Sequence, residues 1–237
     1  MKQFLVLINL YLGILIPSQI SMQYIIESHI DNHQLNLKIN VINRSSDYYI
    51  IPFDKNGFKG YYESEYCGVF DDKNYPYSFF APTVMLKKEN TTGYLFPGSS
   101  RGHVPEGEGA EEYMKKIQEI ANKELQEIDK WKKKNHYKSY EDALKNRYIT
   151  KNLLLLKPNE KYSYEIPLYI SNITRANTST LYDYYFLESA RYTLELHLCI
   201  KEDAYNWLTE HQKKKLKKYK FFTGIIKSND CSFKAYE

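Results

Sequence analysis

Cysteine is scarce: Cys67, Cys199 and Cys231 are the only three in 237 residues, and their wide scatter excludes a zinc site. No glycine-rich segment carries the lysine and serine or threonine of a phosphate loop; Gly107 and Gly109 precede a helical pattern with no strand before them. No Gly-x-Ser-x-Gly elbow occurs. Ser99, Ser100 and His103 lack an acidic residue at a defined spacing to orient the histidine, so they read as a polar loop rather than a hydrolase site. His29 and His33 are the only close histidine pair. They lack a third ligand and a rigid element, so surface histidines are expected there. Internal repeats and low-complexity tracts are absent. The formal charge is only +4, and residues 201–220 hold seven lysines against three acidic residues, which accounts for all of it. A chain neutral elsewhere is not a general polyanion binder, and no nucleic-acid partner is expected. Nor is any cofactor expected.

The first residues carry the strongest signal. Lys2 precedes an apolar run from Phe4 to Ile16, followed by Pro17, Ser18 and Ser21. That run is too short to span a bilayer and reads as an export signal over residues 1–21, cut near Ser18 to Gln23. No cysteine at its end points to a lipid anchor. The expected product is a single domain, residues 22–237, working extracytoplasmically (periplasmic or secreted) and not inserted in the membrane after cleavage. In an oxidising compartment two cysteines can pair, although spacing does not fix which; Cys67 with Cys231 is the candidate pair. Sequons stand at Asn43, Asn90, Asn172 and Asn177, and matter only where the host glycosylates.

Apolar residues alternate at Leu35, Leu37, Ile39 and Val41, again at Tyr162, Tyr164, Ile166, Leu168 and Ile170, and again from Tyr192 to Ile200. Period two predicts half-buried strands. Shorter strands are expected at residues 48–51, 84–86, 153–156, 221–226 and 231–236. On the 192–200 strand, Cys199 falls on the face opposite Leu198 and Ile200. Between these strands, Met114, Ile117, Ala121, Leu125 and Ile128 recur at helical spacing. The helix is expected to end near Asn135, and Ser139 with Asp142 resembles a capping box for a shorter second one. Residues 106–149 hold ten acidic and ten basic residues, so a solvated helical insertion is expected. A third helix is expected from an Asp203 N-cap to Leu216. Strands on both sides of a helical excursion, without strand–helix–strand alternation, argue against a parallel α/β sheet. The expected class is mainly β and antiparallel, with the helical insertion and one further helix before the last strand.

Glu188-Ser189-Ala190-Arg191-Tyr192-Thr193-Leu194 resembles the tyrosine corner at the start of strand F in immunoglobulin-like sandwiches. Leu194 stands where antibody domains have cysteine and no early-strand tryptophan occurs, so the antibody subtype does not fit. Leu156-Lys157-Pro158-Asn159-Glu160, the strand ending at Asn43, and Gly224 to Asn229 are similar to features of immunoglobulin-like modules in exported bacterial proteins. They also resemble the BsuPI-type proteinase inhibitor domain. The resemblance covers about 35–43 and 153–236, and implies an immunoglobulin-like β-sandwich with Tyr192 as a structural residue. It implies no activity, since such folds host many functions.

Tyrosine is the compositional outlier, at 24 residues. Tyr61, Tyr62, Tyr66, Tyr75 and Tyr77, and separately Tyr182, Tyr184 and Tyr185, cluster in loop-like segments. Ring faces stack on apolar sugar surface, but tyrosine also fills sandwich edges with a wet hydroxyl. The candidate ligand-binding residues are Tyr61, Tyr62, Tyr182, Tyr184 and Tyr185. The lysines of 213–220 read as a solvated helix end. The sequence therefore reads as an exported, non-enzymatic binding or accessory module for a protein or glycan. The alternatives are a proteinase inhibitor with an exposed loop and a hydrolase with an unrecognised site.

Overall fold

A computed structural model of the protein describes residues 19–31, 34–64, 66–67, 79–101, 107, 109–174 and 181–235. In chain order it begins with β1 (Ile20–Asp31), β2 (Gln34–Asn43), β3 (Tyr49–Pro52), β4 (Thr83–Lys88) and β5 (Gly98–Arg101). Helices α1 (Ala110–Lys134) and α2 (Tyr140–Lys151) follow. Then come β6 (Leu153–Leu156), β7 (Lys161–Tyr169), β8 (Ile173–Thr174), β9 (Leu181–Tyr184) and β10 (Arg191–Ile200). A 3-10 turn (Glu202–Trp207), α3 (Glu210–Lys215), β11 (Lys220–Phe221), β12 (Gly224–Lys227) and β13 (Cys231–Lys234) close the chain. The protein is mainly β, and its named strands pair antiparallel except β11, which runs parallel to β3.

One sheet has the order β1-β2-β7, and in a second β10 is flanked by β4 on one side and by β12 and β13 on the other. The alternation in β2 buries Leu35, Leu37, Ile39 and Val41, while β10 buries Tyr192, Leu194, Leu196, Leu198 and Ile200. These two rows belong to one hydrophobic core. β12 and β13 act as a single bulged partner of β10: His197 faces Lys227 and Leu194 faces Cys231, so three steps on β10 span four on its partner. The bulge has a use. Asn229 within it accepts from the Tyr24 backbone N–H at 2.8 Å and donates to the Tyr24 carbonyl at 3.0 Å, occupying the outward edge of β1.

β1 begins at Ile20, ahead of the expected end of the signal at residue 21. It pairs with β2 from Ile20 onward, and Ile20, Met22 and Tyr24 are buried in the core. Each such large apolar side chain contributes about 1.5–3 kcal/mol, so a cut beyond Gln19 removes core residues. Residues 1–18, the apolar run among them, lie outside the described residues. So do the His33 side of the histidine pair, His103, Tyr75, Tyr77 and the Asn177 sequon.

The two helices of 106–149 form as their caps dictate. α1 ends with Lys132, Lys133 and Lys134 against its C-terminus, and the Ser139 hydroxyl accepts from the Asp142 N–H to start α2. α2, however, is no solvated insertion. Ile149 lies in the main core, and Asn146 donates to the Trp207 carbonyl at 2.7 Å and accepts from the Trp131 indole at 3.0 Å. Tyr148 stacks on Phe80 and donates to Asp54 at 3.2 Å. Arg147 is buried and bonded to Glu124 and Glu127 of α1. The charges that balance in the sequence are partly neutralised internally. The expected third helix is also split. Leu208 is extended, and α3 opens at Thr209 through a capping box with Gln212, not at Asp203.

Buried hydrogen bonds tie down two of the turns. Asn43 is fully buried; its Nδ2 donates to the carbonyls of Asp47 (2.7 Å) and Lys157 (2.8 Å), and its Oδ1 accepts from the Ser45 N–H and hydroxyl. One side chain thus joins the turn after β2 to the Lys157–Glu160 turn. Tyr192 is buried, and its hydroxyl accepts from the Glu188 N–H at 2.9 Å and donates to the Glu188 carbonyl at 3.2 Å. That is the local geometry of a tyrosine corner.

Candidate functional site

The segment from Lys59 to Cys67 is where separated aromatic residues meet. Lys59 bridges to Thr83 of β4, with Lys59 N–H donating to Pro82 and Val84 N–H donating to Lys59. Gly60 follows because nothing larger fits: a Cβ there would stand 2.7 Å from the Pro97 ring and 3.0 Å from the Asp183 carboxylate. Tyr61 N–H then donates to the Tyr185 hydroxyl at 2.9 Å, and Tyr62 hydroxyl donates to Asp183 at 2.9 Å. The segment closes on a disulfide. Cys67 is bonded to Cys199 of β10, with the Cα atoms 5.3 Å apart.

This corrects the expected Cys67–Cys231 pair, and strand alternation gives the reason. Cys231 stands opposite Leu194, on the core side of β10, whereas Cys199 is on the other side with Glu195 and His197. A segment lying over that outer face reaches Cys199 and not Cys231, which is a free thiol beside Tyr24.

Two further expectations are corrected at β9. Residues 182–184 are not an open loop: they belong to β9, which pairs with β5 and with β8. Its alternation is inverted relative to polarity, because Asp183 is buried while Tyr182 and Tyr184 are half-buried. Tyr185 lies in the core with its hydroxyl donating to the Val84 carbonyl at 2.7 Å, so it is not a contact residue. Tyr62 is likewise committed, through Asp183. The five candidate tyrosines do converge in space, but they divide by role. Tyr61, Tyr182 and Tyr184 keep hydroxyls with no hydrogen-bond partner among the described residues.

Sequence reading missed four participants. Phe96 is 60% exposed and stacks on Tyr61 at 5.7 Å with an interplanar angle of 12°. Tyr94 meets Tyr61 edge-on and donates to Glu195 at 3.2 Å. His197 is buried, with Nε2 3.0 Å from Glu195 and Nδ1 2.9 Å from the Tyr66 hydroxyl. Glu195 and His197, two apart on one strand, necessarily share a face; that much the sequence could have shown. Their aromatic partners come from more than a hundred residues away.

The chemistry of this network is restrained. Burial lowers the His197 pKa, with Lys227 adding to the effect and Glu195 opposing it. Burial raises the Tyr66 pKa, and the neighbouring Tyr61, Tyr94 and Glu195 raise it further. A neutral imidazole therefore accepts from a neutral phenol. Tyr66 is not activated as a nucleophile, because its environment opposes the phenolate. The arrangement holds Tyr66 and Tyr94 in place beneath Tyr61. Ser99 and Ser100 lie on β5, opposite Asp183 and Tyr182. Among the described residues, no group of three histidine, cysteine or acidic side chains could hold a metal ion. Nor is any helix among them long and apolar enough to cross a membrane. Of the sequons, Asn43 is buried while Asn90 and Asn172 are exposed. Comparison with known proteins found no match to any protein family, curated protein or solved structure.

Proposed function

We propose that the protein is an exported, non-enzymatic binding module on an immunoglobulin-like β-sandwich. It engages an extracytoplasmic protein or glycan through Tyr61, Tyr94, Phe96, Tyr182 and Tyr184. The observation that carries the reading is the stacking of Tyr61 on an exposed Phe96, with Tyr94 edge-on to Tyr61 and Tyr61 itself on a segment fixed at both ends. A pre-formed surface loses little entropy on binding, which favours recognition. The sandwich reading is supported by two antiparallel sheets sharing one core and by the Tyr192–Glu188 bonds. Export is supported by the disulfide, which suits an oxidising compartment.

Capture from the extracytoplasmic fraction tests the binding reading. The wild-type protein should retain a partner that the combined Tyr61→Ala, Phe96→Ala variant loses while staying folded. Equal capture by both would remove this surface from consideration. N-terminal sequencing of the exported protein should find a start no later than Ile20. A start at Met1 in the cytoplasmic fraction would end the export reading.

A further inference from the structure

We infer that this surface takes an extended, unbranched polysaccharide lying along β5, which rests on reading the aromatic face as the binding surface. Two of its rings are laid flat against the protein rather than wedged into it. Tyr61 backs Phe96 with near-parallel planes, which leaves the outer face of Phe96 open. Tyr184 lies across Gly98: a Cβ at Gly98 would stand 2.5 Å from the Tyr184 Cζ and 2.7 Å from its hydroxyl oxygen. That ring rests directly on the backbone of β5, and only glycine permits it.

The register sets the row. Gly98 is opposite Tyr184 and Ser100 is opposite Tyr182. Alternation along the extended segment brings Phe96 to the same side as Gly98 and Ser100, while Pro97 and Asp183 close on Gly60 from the inner side. Phe96, Tyr184 and Tyr182 therefore follow one another along β5 over roughly 13 Å, four residues of extended chain. That is the reach of a trisaccharide.

A row of rings on a sheet face, with Tyr182 and Tyr184 tilted by 51° to one another, discriminates between ligands. A helical peptide needs a groove, and an added strand needs an open sheet edge. A quaternary ammonium group needs rings set around a vacancy. Tyr61, Tyr66 and Tyr94 do meet edge to face, but they fill the space between one another. A pyranose offers an apolar C–H face with hydroxyls at its rim. The exposed Phe96 ring, and the hydroxyls of Tyr182 and Tyr184, which have no hydrogen-bond partner among the described residues, complement both parts.

Co-sedimentation with cellulose, chitin and peptidoglycan tests the inference, followed by titration with soluble oligosaccharides of the polymer that binds. Affinity should rise from monosaccharide to trisaccharide and then level off. Phe96→Ala and Tyr184→Leu should each weaken binding by roughly two- to twelvefold, the worth of one aromatic contact. Tyr184→Trp, which keeps a flat ring, should retain binding, and Gly98→Ala, which lifts the ring, should lose it. All variants should keep the wild-type far-ultraviolet circular dichroism spectrum and a cooperative thermal unfolding transition. Binding to none of the three polymers overturns the inference, as does binding that survives Phe96→Ala and Tyr184→Leu together. Capture of a protein partner that depends on Phe96, without any glycan binding, overturns the polysaccharide while leaving the surface itself in place.

Discussion

Replacing Asn43 by alanine probes a fully buried, multiply bonded polar side chain. The side chain has no exposed surface and makes four hydrogen bonds, two through Nδ2 and two through Oδ1. Alanine takes the amide away from the Asp47 and Lys157 carbonyls and from the Ser45 N–H. At about 1 kcal/mol for each orphaned group, the loss is about 3 kcal/mol. For a domain of this size that corresponds to a fall in unfolding temperature of roughly 6–12 °C. Ser45→Ala removes the hydroxyl's bonds to Asn43 and Asp47 but leaves the amide that joins the two turns, and should cost about 1 kcal/mol. Thermal unfolding followed by circular dichroism measures both. An Asn43→Ala shift no larger than that of Ser45→Ala would refute the reasoning, because it would mean that the two turns are not held by this amide.

Further predictions follow the same logic at other sites. Tyr192→Phe keeps the ring stacked on Phe233 but orphans the Glu188 N–H, so it should cost about 1–2 kcal/mol in denaturant unfolding; no loss would contradict the corner geometry. Replacing Cys67 and Cys199 by serine opens a loop of 132 residues, which by chain entropy removes up to roughly 5 kcal/mol. Calorimetry showing an unchanged midpoint would mean that the Lys59–Cys67 segment is held without the bond. His197 has its folded pKa lowered by burial, so on acidification the unfolded chain takes up the proton first. Its contribution to stability should be full at neutral pH and decline as the pH falls below about 6.5, the unfolded value. A pH–stability profile of His197→Gln should lack that limb; coincident profiles would show that His197 is not the group responsible.

Strands with clean alternation were legible from sequence because one face of each meets the core: Leu35 to Val41 and Tyr192 to Ile200 are the cases in point. β1 has the same period in Ile20, Met22, Tyr24 and Ile26, yet it abuts the apolar run of residues 4–16, and the eye assigns its start to the signal. β9 was illegible for a different reason. Its buried residue is Asp183, whose Oδ1 accepts from Tyr62 across the chain, so polarity points to the wrong face. The helical segment misled through composition, since balanced charge suggests solvent exposure, whereas Arg147 is buried against two glutamates. The aromatic site could be half-read: the tyrosines were visible as clusters. What joined them, Gly60, Gly98 and the outer face of β10, depends on contacts no local pattern reveals.

The bulge between β12 and β13 bears on how the molecule avoids its own copies. A long edge strand presents unpaired N–H and C=O groups that template intermolecular pairing, and β1, at 12 residues, is the longest strand described. Asn229 occupies both of those groups at Tyr24 with a single amide. A chain from another molecule can therefore not run in register past that point. The guard is cheap to lose and chemically fragile, since one deamidation at Asn229 turns the donor that faces the Tyr24 carbonyl into a repelling oxygen. Ageing of the protein in storage would then be felt first as association through β1, ahead of any loss of fold.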